Sequence, residues 1–493
     1  MSLSVTCLLL VVACSGRHAV DPGESGGTAT IADLSALPNP TLDRAAAGDD
    51  REKAIAGYRS YLERYPDTPR YDTIARRLAD LLLESAADMQ AEQALGQGLS
   101  TQRKTTAMQR YGEAIAIYTQ LLDKYPDDAD AAEWLYQLSR AYQETGQAEP
   151  AISVIDRLLA EGPNSQERLY ADTQFRRGEL LFGQEEFAAA ARAYLEVVEL
   201  GESAPAYEQA LYKLGWSLFK QEKYDAALKS FFALLDRKLP AASDPAVRLG
   251  QFSKAEQEQL ADVFRVISMS FSHQAGVESV AAYFKRHGSR VYEERIYPNL
   301  AEFYAGREQV TEAARTWLAL AARAPRSAEA PRLYIRVIDI YRKAGFRQRV
   351  LETEAAFVRR YGMSSNFWQQ HAPQDFPDVQ LQLQASLIDL AHHYHARARE
   401  VQRAGDYRAA EQWYRDYLRA FGDAERAAEM NFLLAELLYE RGAYRQAIDE
   451  YERTAWARGD HPRAAEAGQA AMHAYVKYLK QPDAADRQLV SQR

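Results

Sequence analysis

One spacing recurs along this chain of 493 residues: an alanine, a bulky apolar residue four positions later, another three positions after that, and a proline twelve positions after the alanine. Four segments show it in full: Ala54-Tyr58-Tyr61-Pro66, Ala114-Tyr118-Leu121-Pro126, Ala151-Ile155-Leu158-Pro163 and Ala313-Trp317-Leu320-Pro325. Steps of four and three put the first three residues on one face of an α-helix, and the proline ends that helix because it has no N–H. One such unit cannot bury its apolar face alone, so the spacing predicts a stack of similar units.

The same helix face continues where the proline is absent. It is seen in Ala190-Tyr194-Val197, Ala227-Phe231-Leu234, Ala410-Tyr414-Tyr417 and Ala447-Tyr451-Thr454. An apolar helix precedes the helices of this frame, and Gly146, Gly405 and Gly442 predict turns between paired helices, since glycine often follows a helix C-terminus. The three long gaps, 54 to 114, 227 to 313 and 313 to 410, are expected to contain degenerate repeats or insertions.

These features together resemble the tetratricopeptide repeat, which has a small residue at place 8, aromatic residues at places 11 and 24, alanine at place 20 and proline at place 32. The best match is the segment 440–448, and the resemblance spans about residues 50 to 455. It implies an all-α, TPR-like solenoid of stacked helix hairpins, in one or two sub-arrays, each hairpin made of a helix A and a helix B. The repeat length is nearer 37 than 34 residues, which favours longer helices, as in the cell-envelope members of the family.

The predicted organisation has six parts. They are a signal peptide (1–13), a flexible tether rich in Gly, Ser and Pro (14–40), an N-terminal repeat array (41–239), a break (240–254), a degenerate C-terminal array with a closing helix (255–480) and a tail (481–493). Gln469, His473 and Lys477 predict a water-facing polar side on the closing helix. The net charge of −9 argues against nucleic acid as a partner.

The N-terminus contains both cysteines of the chain, Cys7 and Cys14, within an apolar segment. Residues 11–14 resemble the bacterial lipobox, in which the cysteine becomes the lipidated first residue, and Ser15 would then favour the outer membrane. The resemblance therefore implies an outer-membrane lipoprotein that faces the periplasm and is anchored to the membrane through Cys14. The alternative is a cytoplasmic protein with an apolar N-terminal segment.

A stripe of aromatic side chains is the strongest candidate for a binding site. In tetratricopeptide arrays, places 5, 9 and 12 of helix A tend to face the concave groove. By this resemblance place 5 is Tyr136, Phe175 and Tyr212, place 9 is Arg140, Glu179 and Trp216, and place 12 includes Phe182 and Phe219. Such a stripe with polar edges resembles a peptide-binding groove. The alternative is that these rings pack between neighbouring A helices.

Little in the sequence indicates catalysis. His392, His393 and His395 form the one histidine cluster. His392 and His395 share one helix face and His393 shares another with Asp389, so a four-ligand metal site would need another helix. We therefore expect a scaffold with no catalytic, metal or cofactor site that holds other envelope proteins or peptides. The chain looks like the outer-membrane repeat lipoproteins of the β-barrel assembly machine and of Tol-dependent division. The alternatives are a cytoplasmic adaptor and an enzyme subunit with a site at His392–His395.

Overall fold

The computed structural model describes residues 44–94, 101–160, 167–240, 245–456 and 462–480, and all regular structure within these ranges is helical. The α-helices are α1 (Arg44–Arg64), α2 (Tyr71–Ala94), α3 (Thr101–Lys124), α4 (Ala131–Glu144), α5 (Ala148–Leu159), α6 (Glu167–Gly183), α7 (Phe187–Glu199), α8 (Tyr207–Lys220), α9 (Tyr224–Lys238), α10 (Pro245–Gly250), α11 (Lys254–Ser272), α12 (Val277–His287), α13 (Glu293–Ala305), α14 (Val310–Arg323), α15 (Ala330–Lys343), α16 (Arg347–Tyr361), α17 (Pro377–Val401), α18 (Ala404–Phe421), α19 (Ala427–Glu440), α20 (Tyr444–Trp456) and α21 (Ala464–Lys480). Two 3₁₀ helices, Asn366–Gln369 and Pro373–Asp375, lie between α16 and α17. None of these helices is long and apolar enough to cross a membrane. The all-α prediction is confirmed.

The chain divides into two compact units, residues 1–154 and 155–493, with the division inside α5. In the first unit α1 packs on α2, α2 and α3 form a hairpin, and α4 packs on α3. In the second unit the hairpins are α6/α7, α8/α9, α11/α12, α13/α14, α15/α16, α17/α18 and α19/α20, and α21 packs on α20. The segment 240–254, predicted to separate two arrays, lies in the second unit and contains α10. The predicted domain boundaries remain predictions.

The alanine and bulky residues of the repeated spacing lie where two helices of a hairpin meet. Ala190, Tyr194, Ala227 and Phe231 have no exposed surface. A Cβ atom on Gly215 would lie 2.7 Å from the Phe231 ring, and one on Gly178 would lie 2.5 Å from the Tyr194 ring. Both distances are too short for a methyl group, so glycine at place 8 of helix A is required by the aromatic ring at place 24 of helix B.

Several turns between consecutive helices share one hydrogen-bond pattern. In α4/α5 the N–H of Gln147 donates to the carbonyl of Tyr142 at 2.8 Å, which is the long bond of a Schellman motif, and Gly146 takes the left-handed conformation with φ 74°. The left-handed position is held in the same way by Gly345, Gly442, Glu185, Glu222 and Glu308. The prediction of a turn at Gly405 is wrong, because Gly405 lies inside α18 and Gln402 takes the left-handed conformation instead.

The closing helix is α21, and it buries Ala467, Ala471 and Ala474 against α20. Gln469, His473 and Lys477 face water as expected. The expectation of a polar outer side is nevertheless incomplete, since an apolar row is exposed on the same helix. Its members are Met472, Tyr475, Val476 and Leu479, the last with 66% of its surface accessible.

Candidate protein-binding face

Three aromatic side chains of α8 form a contiguous surface in the second unit. Tyr212, Trp216 and Phe219 follow one another at steps of four and three and so share one side of the helix. The ring centroids of Tyr212 and Trp216 are 6.5 Å apart and those of Trp216 and Phe219 are 5.6 Å apart. All three are half-buried, and Tyr212 and Trp216 rest edge-on against the buried ring of Phe231. We call this surface the aromatic face.

Side chains of α11, and of His273 directly after it, extend the aromatic face on one side. The Tyr212 hydroxyl donates a 2.6 Å hydrogen bond to Asp262. The Arg265 guanidinium lies 5.8 Å from the centre of the Trp216 ring, a cation–π arrangement, and also pairs with Asp262. His273 meets Phe219 edge-on at 5.9 Å. Asp262, Arg265 and His273 were not predicted, although a helical spacing of three and eight residues would place them on a common side.

Side chains of α6 border the aromatic face on the other side. Glu179 accepts a 2.5 Å hydrogen bond from the hydroxyl of the buried Tyr194 and forms an ion pair with Lys213 of α8 at 2.9 Å. The Lys213 ammonium group also lies 5.3 Å from the centre of the Phe182 ring. Phe175 packs on Tyr194 of its own hairpin with ring centroids 5.6 Å apart. Glu179, Phe182 and Lys213 therefore join α6 to the aromatic face, whereas Phe175 also serves the packing of its hairpin.

Each acidic group at this surface is held by one tyrosine hydroxyl and one cation. Burial, reinforced by the carboxylates of Glu179 and Asp262 respectively, raises the pKa of Tyr194 and of Tyr212 above the ordinary value, so both phenols stay protonated and act as donors. The carboxylates are thereby engaged within the protein. A partner could therefore contact the half-buried rings and the guanidinium of Arg265, whose side chain is 54% accessible.

Comparisons with known proteins identify the repeat. Models of the tetratricopeptide repeat match residues 44–68 and 77–128, residues 105–171, and residues 175–245 and 395–455, which together span about half of the chain. The chain is a tetratricopeptide repeat protein. No curated protein sequence matches it.

Several solved structures are similar to parts of this tetratricopeptide repeat protein. A tetratricopeptide repeat protein from Parabacteroides merdae shares 14% identity over 56% of this chain and 87% of its own, with a TM-score of 0.30. MamA from Desulfovibrio magneticus shares 17% over 42% and 92%, with a TM-score of 0.27. The C-terminal part of a repeat protein from Cytophaga hutchinsonii shares 12% over 60% and 98%, with a TM-score of 0.25.

In the first unit of the tetratricopeptide repeat protein, α4 carries the two remaining residues predicted for the groove. Tyr136 is half-buried, and Arg140 is exposed and donates to Gln137 at 3.1 Å. The hairpin α2/α3 repeats the pairing found at Tyr194, because the Tyr118 hydroxyl donates to Asp80 at 2.5 Å. Cys14, the predicted lipidation site, lies outside the described residues.

The histidine cluster serves packing in this tetratricopeptide repeat protein. His395 is buried, with Nδ1 at 3.1 Å from the Tyr414 hydroxyl and Nε2 at 3.3 Å from Glu440. Burial lowers the pKa of His395 below the ordinary value, so its imidazole favours the neutral form. Within the described ranges, no three His, Cys, Asp or Glu side chains are grouped so as to hold a metal ion.

Proposed function

We propose that this protein is a non-catalytic scaffold of the bacterial cell envelope, which holds partner proteins or peptides on its A helices. The observation that carries the proposal is the aromatic face of α8, bordered by α6 and α11. Tyr, Trp and Arg dominate the energetics of protein interfaces because they combine large apolar area with a polar group. In the aromatic face a tryptophan, a tyrosine and an arginine lie in contact on one surface.

The chemistry of the face favours a segment with apolar or aromatic side chains. Half-buried rings lose little conformational freedom on binding, since their rotamers are already restricted by neighbours such as Phe231. The carboxylates of Glu179 and Asp262 are already paired, so a partner need not supply cations to them. Arg265 favours an acceptor, such as a carboxylate or a backbone carbonyl, next to the apolar anchor.

The binding part of the proposal is tested by site-specific photocrosslinking in the native host. A photoreactive amino acid replaces Lys220, which is exposed at the end of α8, or in a second strain Lys229, which is exposed on α9. We expect a crosslinked partner from position 220 and not from position 229, with the band identified by mass spectrometry. Equal crosslinking from both positions would move the interface away from the A helices.

A matched pair of tryptophan variants separates binding from stability. Trp216 and Trp413 are both half-buried, but Trp413 lies on α18 and packs against the core of the later repeats. Trp216→Ala should remove the crosslink at position 220, because an aromatic anchor of an interface contributes about 2 kcal/mol or more. Trp413→Ala should keep the crosslink at position 220. Loss of the crosslink in both variants, with lowered melting temperatures, would mean that the rings act through the fold alone.

The envelope part of the proposal rests on the lipobox-like residues 11–14. Metabolic labelling with an alkyne fatty acid should mark the wild-type protein and not Cys14→Ser, and the variant should move from the membrane to the soluble fraction. Cys7→Ser is the matched control and should stay labelled. An unlabelled wild-type protein in the cytoplasm would refute the anchor and leave the binding proposal standing.

A further inference from the structure

A cavity of about 380 Å³ lies in the second unit, away from the aromatic face. Three segments meet there: the loop after α14, which is distant in sequence, the last turn of α16, and the irregular stretch that directly follows α16. The lining residues are Pro325, Arg326, Arg359, Arg360, Ser364, Ser365, Asn366 and Phe367. We call this cavity the arginine pocket.

Hydrogen bonds tie the three segments together. The Tyr361 hydroxyl donates to the carbonyl of Pro325 at 3.4 Å, and His371 Nε2 lies 2.8 Å from the carbonyl of Arg326. The indole N–H of Trp368 donates to the carbonyl of Tyr361 at 2.8 Å. Phe367 is 3% exposed and meets the Tyr361 ring edge-on, which gives the pocket an apolar wall. The pocket is therefore built from a packed insertion and not from a loose surface loop.

All charged residues that line the pocket are positive. Three of the residues that line it are arginines, and none of the lining residues is acidic. Among the described residues, no acidic side chain pairs with Arg326, Arg359 or Arg360, and Arg360 donates instead to the Tyr334 hydroxyl at 3.3 Å. Nearby arginines behave differently, since Arg323 pairs with Glu293, Arg332 with Asp378 and Arg342 with Glu354. Three like charges around one cavity repel each other, and an anion in the cavity would offset that repulsion.

Neutral donors accompany the arginines. The Ser365 hydroxyl oxygen is buried and has no hydrogen-bond partner. The Asn366 side chain accepts from Gln369 through its oxygen at 3.2 Å, which leaves its amide group as a donor. Three planar guanidinium groups and these donors exceed what the two oxygens of a carboxylate can accept, whereas a phosphate group offers more acceptor oxygens and up to two negative charges.

We propose that the arginine pocket binds the phosphate group of a small organic phosphate. The volume lies at the lower end of the range for small-molecule sites, and an inorganic phosphate ion would fill only part of it. The organic part of the ligand would lie against Pro325 and Phe367, the apolar residues of the lining. The site is separate from the aromatic face, so it does not depend on the protein-binding function.

Calorimetric titration of the full chain with phenyl phosphate, inorganic phosphate and benzoate tests the proposal. We expect one phenyl phosphate per chain, bound more tightly than either of the other two anions. In the double variant Arg326→Gln, Arg359→Gln the affinity for phenyl phosphate should fall at least tenfold, because each lost charge-assisted hydrogen bond weakens binding by about that factor. The matched control is Arg192→Gln, Arg408→Gln, which removes the same charge from exposed positions outside the pocket.

Thermal melts separate a loss of phosphate binding from a loss of stability. The melts of both double variants should match the wild type, since none of the four arginines forms an ion pair with another described residue. Phenyl phosphate should raise the melting temperature of the wild type and of the control, and not that of the pocket variant. Absence of binding, equal affinity for benzoate, no gain of phenyl phosphate over inorganic phosphate, or an equal loss in both double variants would each overturn the assignment.

Discussion

Replacing Glu354 by glutamine should remove a pH-dependent loss of stability from the hairpin α15/α16. Glu354 has no accessible surface, and one of its carboxyl oxygens has no hydrogen-bond partner. The other oxygen lies 3.2 Å from the guanidinium of Arg342. Burial, and next the charge of Asp389, raises the pKa of Glu354 to about 7, while Arg342 and Arg347 act in the opposite direction.

The direction in which stability changes with pH follows from the number of protons that the folded and unfolded states bind. Between the ordinary pKa of 4.5 and about 7, the folded protein holds a proton on Glu354 that the unfolded chain releases. The free energy of unfolding therefore falls as the pH rises through this range, and the stabilisation that is present at low pH is lost above pH 7. A pKa difference of this size corresponds to about 3 kcal/mol. Glutamine mimics the protonated carboxyl at every pH, so Glu354→Gln should differ little from the wild type at pH 5 and be more stable by about 2–3 kcal/mol at pH 8.

Urea unfolding at pH 5, 6, 7 and 8, followed by circular dichroism at the helical band, measures this difference. Subtracting the wild-type value at each pH removes the contribution of all other titrating groups. Glu352→Gln is the matched control, because Glu352 is exposed on the same helix and pairs only with neighbours such as Arg349. A difference between Glu354→Gln and the wild type that stays constant from pH 5 to 8 would mean that Glu354 is ionised throughout, and would refute the argument.

Three further substitutions test the packing of the repeats by the same unfolding assay. Gly215→Ala should cost about 1–3 kcal/mol, because the added methyl group would meet the Phe231 ring. Glu222→Gly should stabilise by about 0.5–1 kcal/mol, since Glu222 has a φ of 60°, which glycine adopts without a Cβ clash; an unchanged midpoint would mean that the turn is not strained. Ala227→Leu should cost about 1–3 kcal/mol because Ala227 has no free surface, whereas Ala233→Leu on the exposed side of the same helix should be nearly neutral.

The sequence predicted the hairpins in which the repeated spacing is intact, whereas for α15/α16 it gave only the expectation of a degenerate repeat or insertion between residues 313 and 410. In α15/α16 the alanine place is Val350 and the aromatic place is Glu354, so no pattern of small and bulky residues marks helix B. The hairpin forms because Val337, Ile338 and Val350 still bury their side chains in the core. Apolar burial at a helical period decides the fold, and the residue signature of the repeat is only one way to achieve it.

The turns between helices also show that a residue signature is only a partial guide to the structure. Gly146 and Gly442 were predicted because glycine is the usual left-handed residue after a helix. Glu185, Glu222 and Glu308 hold the same conformation and give no signal, because the motif is defined by its hydrogen bonds and not by the residue at its centre. Gly405 gave a false signal for the converse reason, since a glycine near a helix start can be helical.

The candidate sites could be predicted only as far as residues share a helix. Tyr212, Trp216 and Phe219 follow from their places in helix A, whereas Asp262 and Arg265 come from a helix that does not carry the frame. The arginine pocket joins positions near 326, 360 and 365, and no periodicity connects them. Contacts between segments that are distant in sequence depend on how the insertion after α16 packs, and a local pattern contains no information about that.

Two departures from the repeat lie together, in the hairpin α15/α16 and in the insertion that follows it. A repeat array needs neither a buried carboxyl at an aromatic place nor an insertion that gathers unpaired arginines, and local rules tend to fail where a chain serves something other than its own packing. Glu354 is paired with Arg342 and influenced by Arg347 and Asp389, none of which lines the arginine pocket. The pH dependence of stability and the binding of phosphate are therefore independent consequences of the same region. Glu354→Gln should leave the affinity for phenyl phosphate unchanged, and a shifted affinity would show that the two features are coupled through α16.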